Sequence, residues 1–235
     1  MNKTIKHILF LALTFPFLIL SAKAQEGTFY TVNDLEVWSA AKLKYSINKD
    51  WRIGLEQQYR LKDDASTFGK YITELDIKLN LGENLSASLG TRFIRDKYAK
   101  GDVQGVDNLF RWNADLNYKH QLNRFSLKYR FRYQAENELS VDDESDKTIR
   151  FKIGTDYNIK KSRFTPEFST ELFNELNDSE GFTKVRFTLG TEYKIKHLGK
   201  IGAFYRVEKE LDGLYPKTTN IIGISYQYTI KNNKK

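Results

Sequence analysis

Apolar and polar residues alternate along eleven stretches of this chain, each about as long as a strand that crosses a bilayer. The segment Arg124 to Gln134 carries the pattern most clearly. Phe125, Leu127, Tyr129, Phe131 and Tyr133 take one set of alternate positions, and Ser126, Lys128, Arg130, Arg132 and Gln134 take the other. Side chains of a strand point to opposite faces in turn, so this segment has one apolar face and one strongly charged face. The other stretches are Leu35 to Ile47, Trp51 to Leu61, Tyr71 to Leu81, Leu85 to Arg95, Leu109 to Tyr118, Ile149 to Ile159, Phe164 to Phe173, Thr183 to Ile195, Ile201 to Val207 and Asn220 to Ile230. Pro166 weakens pairing at the start of the Phe164 stretch, because it donates no ladder hydrogen bond.

The connections between these stretches alternate in length. Asn48 to Asp50, Gly82 to Asn84, His120 to Asn123, Lys160 to Arg163 and Lys196 to Lys200 are short. Lys62 to Lys70, Asp96 to Asn108, Ala135 to Thr148, Asn174 to Phe182 and Glu208 to Thr219 are longer. Short turns at one end and long loops at the other are the habit of an outer-membrane barrel, with the short turns periplasmic. The expectation is an all-β transmembrane antiparallel up-and-down barrel of about twelve strands. The twelfth would be a short first strand over Gly27 to Val32, which would bring both termini to the periplasm. The alternative is ten strands, since single-chain bacterial barrels normally have an even number.

Export is written into the N-terminus. Lys3 and Lys6 precede the apolar run Ile8 to Leu20, and Ala22-Lys23-Ala24 completes a small-residue cleavage pattern. The run is short for a transmembrane helix. Residues 1–24 are therefore read as a cleaved signal peptide and residues 25–235 as one barrel domain, with the mature chain starting at Gln25. Cleavage removes three lysines and no acid, so the formal charge falls from +8 to about +5. Cysteine is absent, which leaves no disulfides, no thiolate chemistry and no lipoprotein anchor. A closed hydrogen-bond network in a membrane supplies stability by another route. Mean hydropathy is −0.58, too low for a bundle of membrane helices but compatible with strands that show only alternate residues to lipid. The 16 Phe and 14 Tyr suit aromatic girdles at the membrane interfaces.

If the apolar faces look out, the charged faces line the interior. A dry core could not hold so many ions, since each unpaired one costs several kcal/mol. Lys128, Arg130 and Arg132 on one strand should face Arg150 and Lys152 on the next, with Lys184 and Arg186 further along, giving a candidate basic strip. Like charges opposite one another repel unless solvated or bound to anions. One reading is a pore that prefers a small anionic solute. The other is a lumen closed by ion pairs in which Glu56, Glu74, Glu167 and Glu171 are the acidic partners.

The remaining chemistry is thin. His120 and His197 fall in short turns, away from any shared site, so no hydrolase is expected. No catalytic, cofactor-binding or metal-binding residues are expected. The acidic run Glu136 to Asp146 lacks the spacing of an EF-hand and reads as a solvated loop. The basic charge lies along strand interiors rather than on an exposed patch, which excludes a nucleic-acid partner. The expected partners are outer-membrane lipid, lipopolysaccharide and the barrel-insertion machinery. A closed barrel whose loops bind envelope partners, with no transport, is the alternative to a channel.

Three runs carry a family likeness: Leu35-Glu36-Val37-Trp38-Ser39-Ala40, then Tyr45 to Trp51, then Leu55-Glu56-Gln57-Gln58-Tyr59-Arg60, followed after an acidic loop by a third strand. With them the chain resembles an uncharacterised family of outer-membrane barrels common in Bacteroidetes, known as domain of unknown function 2490. The resemblance implies a barrel over nearly the whole mature length and no established activity. The alternation through Tyr226, Tyr228 and Ile230 is followed by Lys231 to Lys235, whereas barrels often finish on an aromatic residue read by the insertion machinery.

Overall fold

The computed structural model describes residues 32–100, 103–141, 144–177 and 181–232. All eleven expected stretches are strands: β1 (Val32–Ser46), β2 (Trp51–Lys62), β3 (Thr67–Asn80), β4 (Leu85–Lys100), β5 (Val103–Leu122), β6 (Phe125–Glu138), β7 (Asp146–Tyr157), β8 (Phe164–Glu175), β9 (Lys184–Ile195), β10 (Gly199–Glu210) and β11 (Lys217–Lys231). Each pairs antiparallel with the next, and β1 meets β11 to close the barrel.

The closing pair is parallel, in continuous register from Val32 opposite Lys217 to Ser46 opposite Lys231. An up-and-down ring with an odd number of strands must bring its first and last strands together pointing the same way. The observed eleven lies between the expected twelve and ten. The expected first strand over Gly27 to Val32 falls outside the described residues except for Val32, which opens β1. Side chains and backbone pin both ends of the seam. The Lys217 Nζ donates to Asp34 Oδ2 at 2.8 Å, and the Asp64 amide donates to Asp34 Oδ1 at 3.0 Å. At the opposite end the Asn232 amide donates to the Ser46 carbonyl at 3.1 Å. β1 therefore starts at the end that carries the longer links, and β11 finishes at the other.

One expected loop is not a loop. Asp96 to Lys100 and Val103 to Asn108 continue as strand, with β4 and β5 paired out to Lys100 opposite Val103. This stretch has few apolar residues, so hydropathy gave no sign of it. The backbone ladder needs only N–H and C=O groups and runs on past the apolar band. Glu136 and Glu138 likewise belong to β6 rather than to a solvated loop. The difference between the two ends lies in tall hairpins as much as in loop length.

Alternation sets the two faces of the wall. Leu89, Leu189, Ile224 and Phe93 point outward and are about half exposed or more. Outward aromatics pair across strands, as in Phe131 with Phe151 (ring centroids 5.2 Å apart) and Trp112 with Tyr133 (5.4 Å). On the other face Arg132, Arg150, Glu171 and Glu74 are buried. Ionic groups inside and greasy groups outside invert the arrangement of a soluble barrel.

A narrow ring crowds its inner face, and glycine makes room. Gly223 on β11 stands opposite Phe204 on β10, whose ring lies across it. A Cβ at Gly223 would fall 2.0 Å from Phe204 Cζ. Gly223→Val is expected to destabilise the barrel by about 1–3 kcal/mol through overpacking. The measurement is the temperature at which the compact, fast-migrating gel form is lost. Adding Phe204→Ala should recover most of the loss, and a Gly223→Val barrel as stable as its parent would mean that the ring moves aside freely.

Candidate functional site

The inner wall is where chemistry concentrates. The register puts Arg130 opposite Lys152 and Arg132 opposite Arg150 across β6 and β7. The facing pair Arg132 and Arg150 turn to different acids. Arg132 makes two hydrogen bonds back to Asp115 on β5, at 2.6 and 2.7 Å. Arg150 turns forward to β8, where its Nε lies 2.9 Å from Glu171 Oε1, and it also donates to Gln134 Oε1 at 2.9 Å. Arg130 reaches past β7 to the same Glu171 oxygen at 2.5 Å. Arg186 on β9 approaches Glu171 Oε2 at 3.3 Å and Glu208 on β10 at 2.7 Å. One buried carboxylate thus holds three guanidiniums, and Phe173 stacks beneath two of them, with Arg150 4.3 Å and Arg186 4.7 Å from its ring centre.

The same lateral pairing continues round the barrel. Lys42 on β1 bridges Glu56 at 3.3 Å and Asp76 at 2.6 Å. Glu74 on β3 pairs with Arg92 on β4. Glu136 on β6 pairs with Arg111 on β5 at 2.5 Å. These bonds run along the wall between strands one or two apart rather than across the middle. Lys152, Lys184 and Glu167 have no ion-pair partner within 4.0 Å among the described residues. Of the expected acidic partners, Glu56, Glu74 and Glu171 are in the belt and Glu167 is not. Arg92, Arg111 and Asp115 join the belt opposite Glu74, Glu136 and Arg132. Their roles become visible once the register sets them opposite specific partners.

The belt breaks at the closing seam. The inward positions of β11 between Lys217 and Lys231 (Thr219, Ile221, Gly223, Ser225, Gln227 and Thr229) carry no charge. Beside this gap, Trp38 on β1 stands opposite Arg60 on β2, whose guanidinium carbon sits 3.5 Å from the indole centre. Arg206 on β10 lies 4.9 Å from the same ring and 4.6 Å from Phe204.

Inside the belt is a cavity of about 740 Å³. It is lined along most of β10: Glu210, the last residue of that strand, lines one end and Lys200, near its start, lines the other. Fifteen lysines and arginines line it against nine acids, so its interior is net positive. That is large enough for a small organic solute. His120 and His197 lie at the short-turn end, at the finish of β5 and in the β9–β10 connection.

The family described as "Protein of unknown function (DUF2490)" matches residues 35–210, from within β1 to the end of β10. The chain belongs to this family. The matched span covers most of β1 and all of β2 to β10 and leaves out β11. No match was found among the curated proteins. Similar solved structures include the beta domain of the Bordetella autotransporter BrkA and the NanC porin. The first is 11% identical with a TM-score of 0.42, covering 74% of this chain and 82% of that one. The second is 14% identical with a TM-score of 0.46, covering 78% and 90% respectively.

Proposed function

We propose that this DUF2490 barrel spans the outer membrane as a small channel that prefers anions. The observation that carries the reading is a net-positive cavity, lined along most of β10, inside a wall whose outer surface is apolar. An excess of fixed positive charge attracts counter-ions of opposite sign into a narrow passage. The short connections and the end of β11 then lie in the periplasm, and the tall β4–β5 hairpin stands on the outside. Lipid and lipopolysaccharide are the surroundings of the apolar face, and insertion machinery would deliver the chain there.

Planar-bilayer recording of the mature protein in a potassium chloride gradient tests this. The expected result is discrete conductance with a reversal potential on the chloride side. Cation selectivity removes the anion preference. Absence of conductance favours the second reading, a closed barrel, which is supported by the density of the Glu171 ion-pair cluster. Export is tested separately. Sequencing the envelope form of the protein should return Gln25 as its first residue, and a form that begins at Met1 would show residues 1–24 retained as an anchor.

A further inference from the structure

We propose that Arg60 and Arg206 form a docking station for a solute oxyanion, a carboxylate or phosphate group, at the seam of the barrel. The proposal rests on the channel reading and names the chemistry that its lumen would take.

Eight arginines line the cavity, and six of them have an acid within salt-bridge distance. The two that have none among the described residues are Arg60 and Arg206, and both stand against the same indole. Their known hydrogen bonds leave donors unused. Arg60 gives Nε and one terminal nitrogen to Gln58 Oε1, at 3.2 and 2.6 Å. Arg206 gives only its Nε to Thr188, at 3.0 Å. Each keeps terminal N–H groups that can turn to the cavity.

Two cations brought to one aromatic ring with no acid within salt-bridge distance among the described residues is a costly arrangement unless something negative visits it. Trp38 steadies the pair without neutralising it, because its face attracts guanidinium while its Nε1 is committed to Glu36 at 2.6 Å. The wall is shaped for it. The β2–β3 register shifts opposite Arg60 and Leu61, where Gly69 is the extra residue on β3 and the ladder is locally broken. Gly223 lets the Phe204 ring lie flat beneath Arg206. A guanidinium presents a fork of parallel donors that matches carboxylate or phosphate, and chloride cannot use that fork. Lys152 and Lys184 also lack ion pairs, but a single ammonium offers no such fork.

Calorimetric titration of the folded mature barrel in detergent, with inorganic phosphate and separately with succinate in a chloride background, reads the station without requiring conduction. The expected result is saturable binding of at least one of them. Binding should weaken at least about tenfold in the Arg60→Gln, Arg206→Gln double variant and stay unchanged in Arg52→Gln, a lumenal charge outside the cluster. Which probe binds tells phosphate from carboxylate. The Arg60→Lys, Arg206→Lys variant keeps the net charge and loses the forks, so it also should bind more weakly, and it serves if the Gln pair does not fold. Equal binding by the Lys pair, equal loss in Arg52→Gln, or no binding by the parent overturns the station. A barrel that conducts anions yet binds neither probe loses the station and keeps the channel. One that binds yet never conducts keeps the station as a ligand site and loses the channel.

Discussion

Leu189→Arg is expected to destabilise the barrel by about 2–4 kcal/mol in a lipid bilayer. Leu189 lies midway along β9, points outward and is 62% exposed. If acyl chains surround that position, a guanidinium there must be dragged into hydrocarbon or must distort the bilayer to reach water. If water surrounds it instead, exchanging one exposed side chain for another changes stability by only about 0.5 kcal/mol. The two cases differ by several-fold, so the measurement decides between them. Denaturant titration of the protein folded into phospholipid vesicles, followed by gel mobility, supplies it. A Leu189→Arg protein that inserts and resists denaturant like its parent would remove the membrane interpretation.

The second large effect concerns Glu171. Its side chain is 3% exposed and binds Arg130, Arg150 and Arg186. Glu171→Ala leaves three cations around an empty place, and breaking a buried ionic cluster of this kind costs about 3–5 kcal/mol. Glu171→Gln keeps the volume and one acceptor oxygen, so it should cost less. Both variants remove a negative charge from a net-positive lumen and should raise the preference for chloride over potassium. A loss below about 1 kcal/mol in Glu171→Ala would mean that lumen water solvates these arginines as well as the carboxylate does.

Much of this fold is legible in the sequence, and the reason is the environment on either side of the wall. Phe125, Leu127, Tyr129, Phe131 and Tyr133 can be read as one face because a strand repeats every two residues and the two faces meet opposite conditions. Signal fades where that contrast fades. From Asp96 to Asn108 both faces are polar, so the β4–β5 extension left no periodic mark. The bulge beside Arg60 is equally silent, since hydropathy carries no record of register. Charge gave part of the site. Arg130, Arg132, Arg150 and Lys152 stand opposite one another as the alternation required. What alternation does not contain is the choice each arginine makes between neighbours, which depends on strand stagger. For the same reason Trp38, Arg60 and Arg206 do not look related in sequence. Trp38 and Arg60 face each other across the β1–β2 hairpin, and Arg206 on β10 joins them only because the ring closes.

The parallel seam also bears on how such a chain can be made. Its two partners are the first and last described strands, so the ring cannot shut until Lys217 to Lys231 have been delivered. Before that moment the growing sheet presents two bare edges with unsatisfied amides and carbonyls, which invite pairing with a foreign strand. Contacts between segments so far apart along the chain carry a large loop-closure entropy, which slows closure. A chain truncated before Lys217 should accumulate as aggregate or remain on whatever catalyst guards its edges.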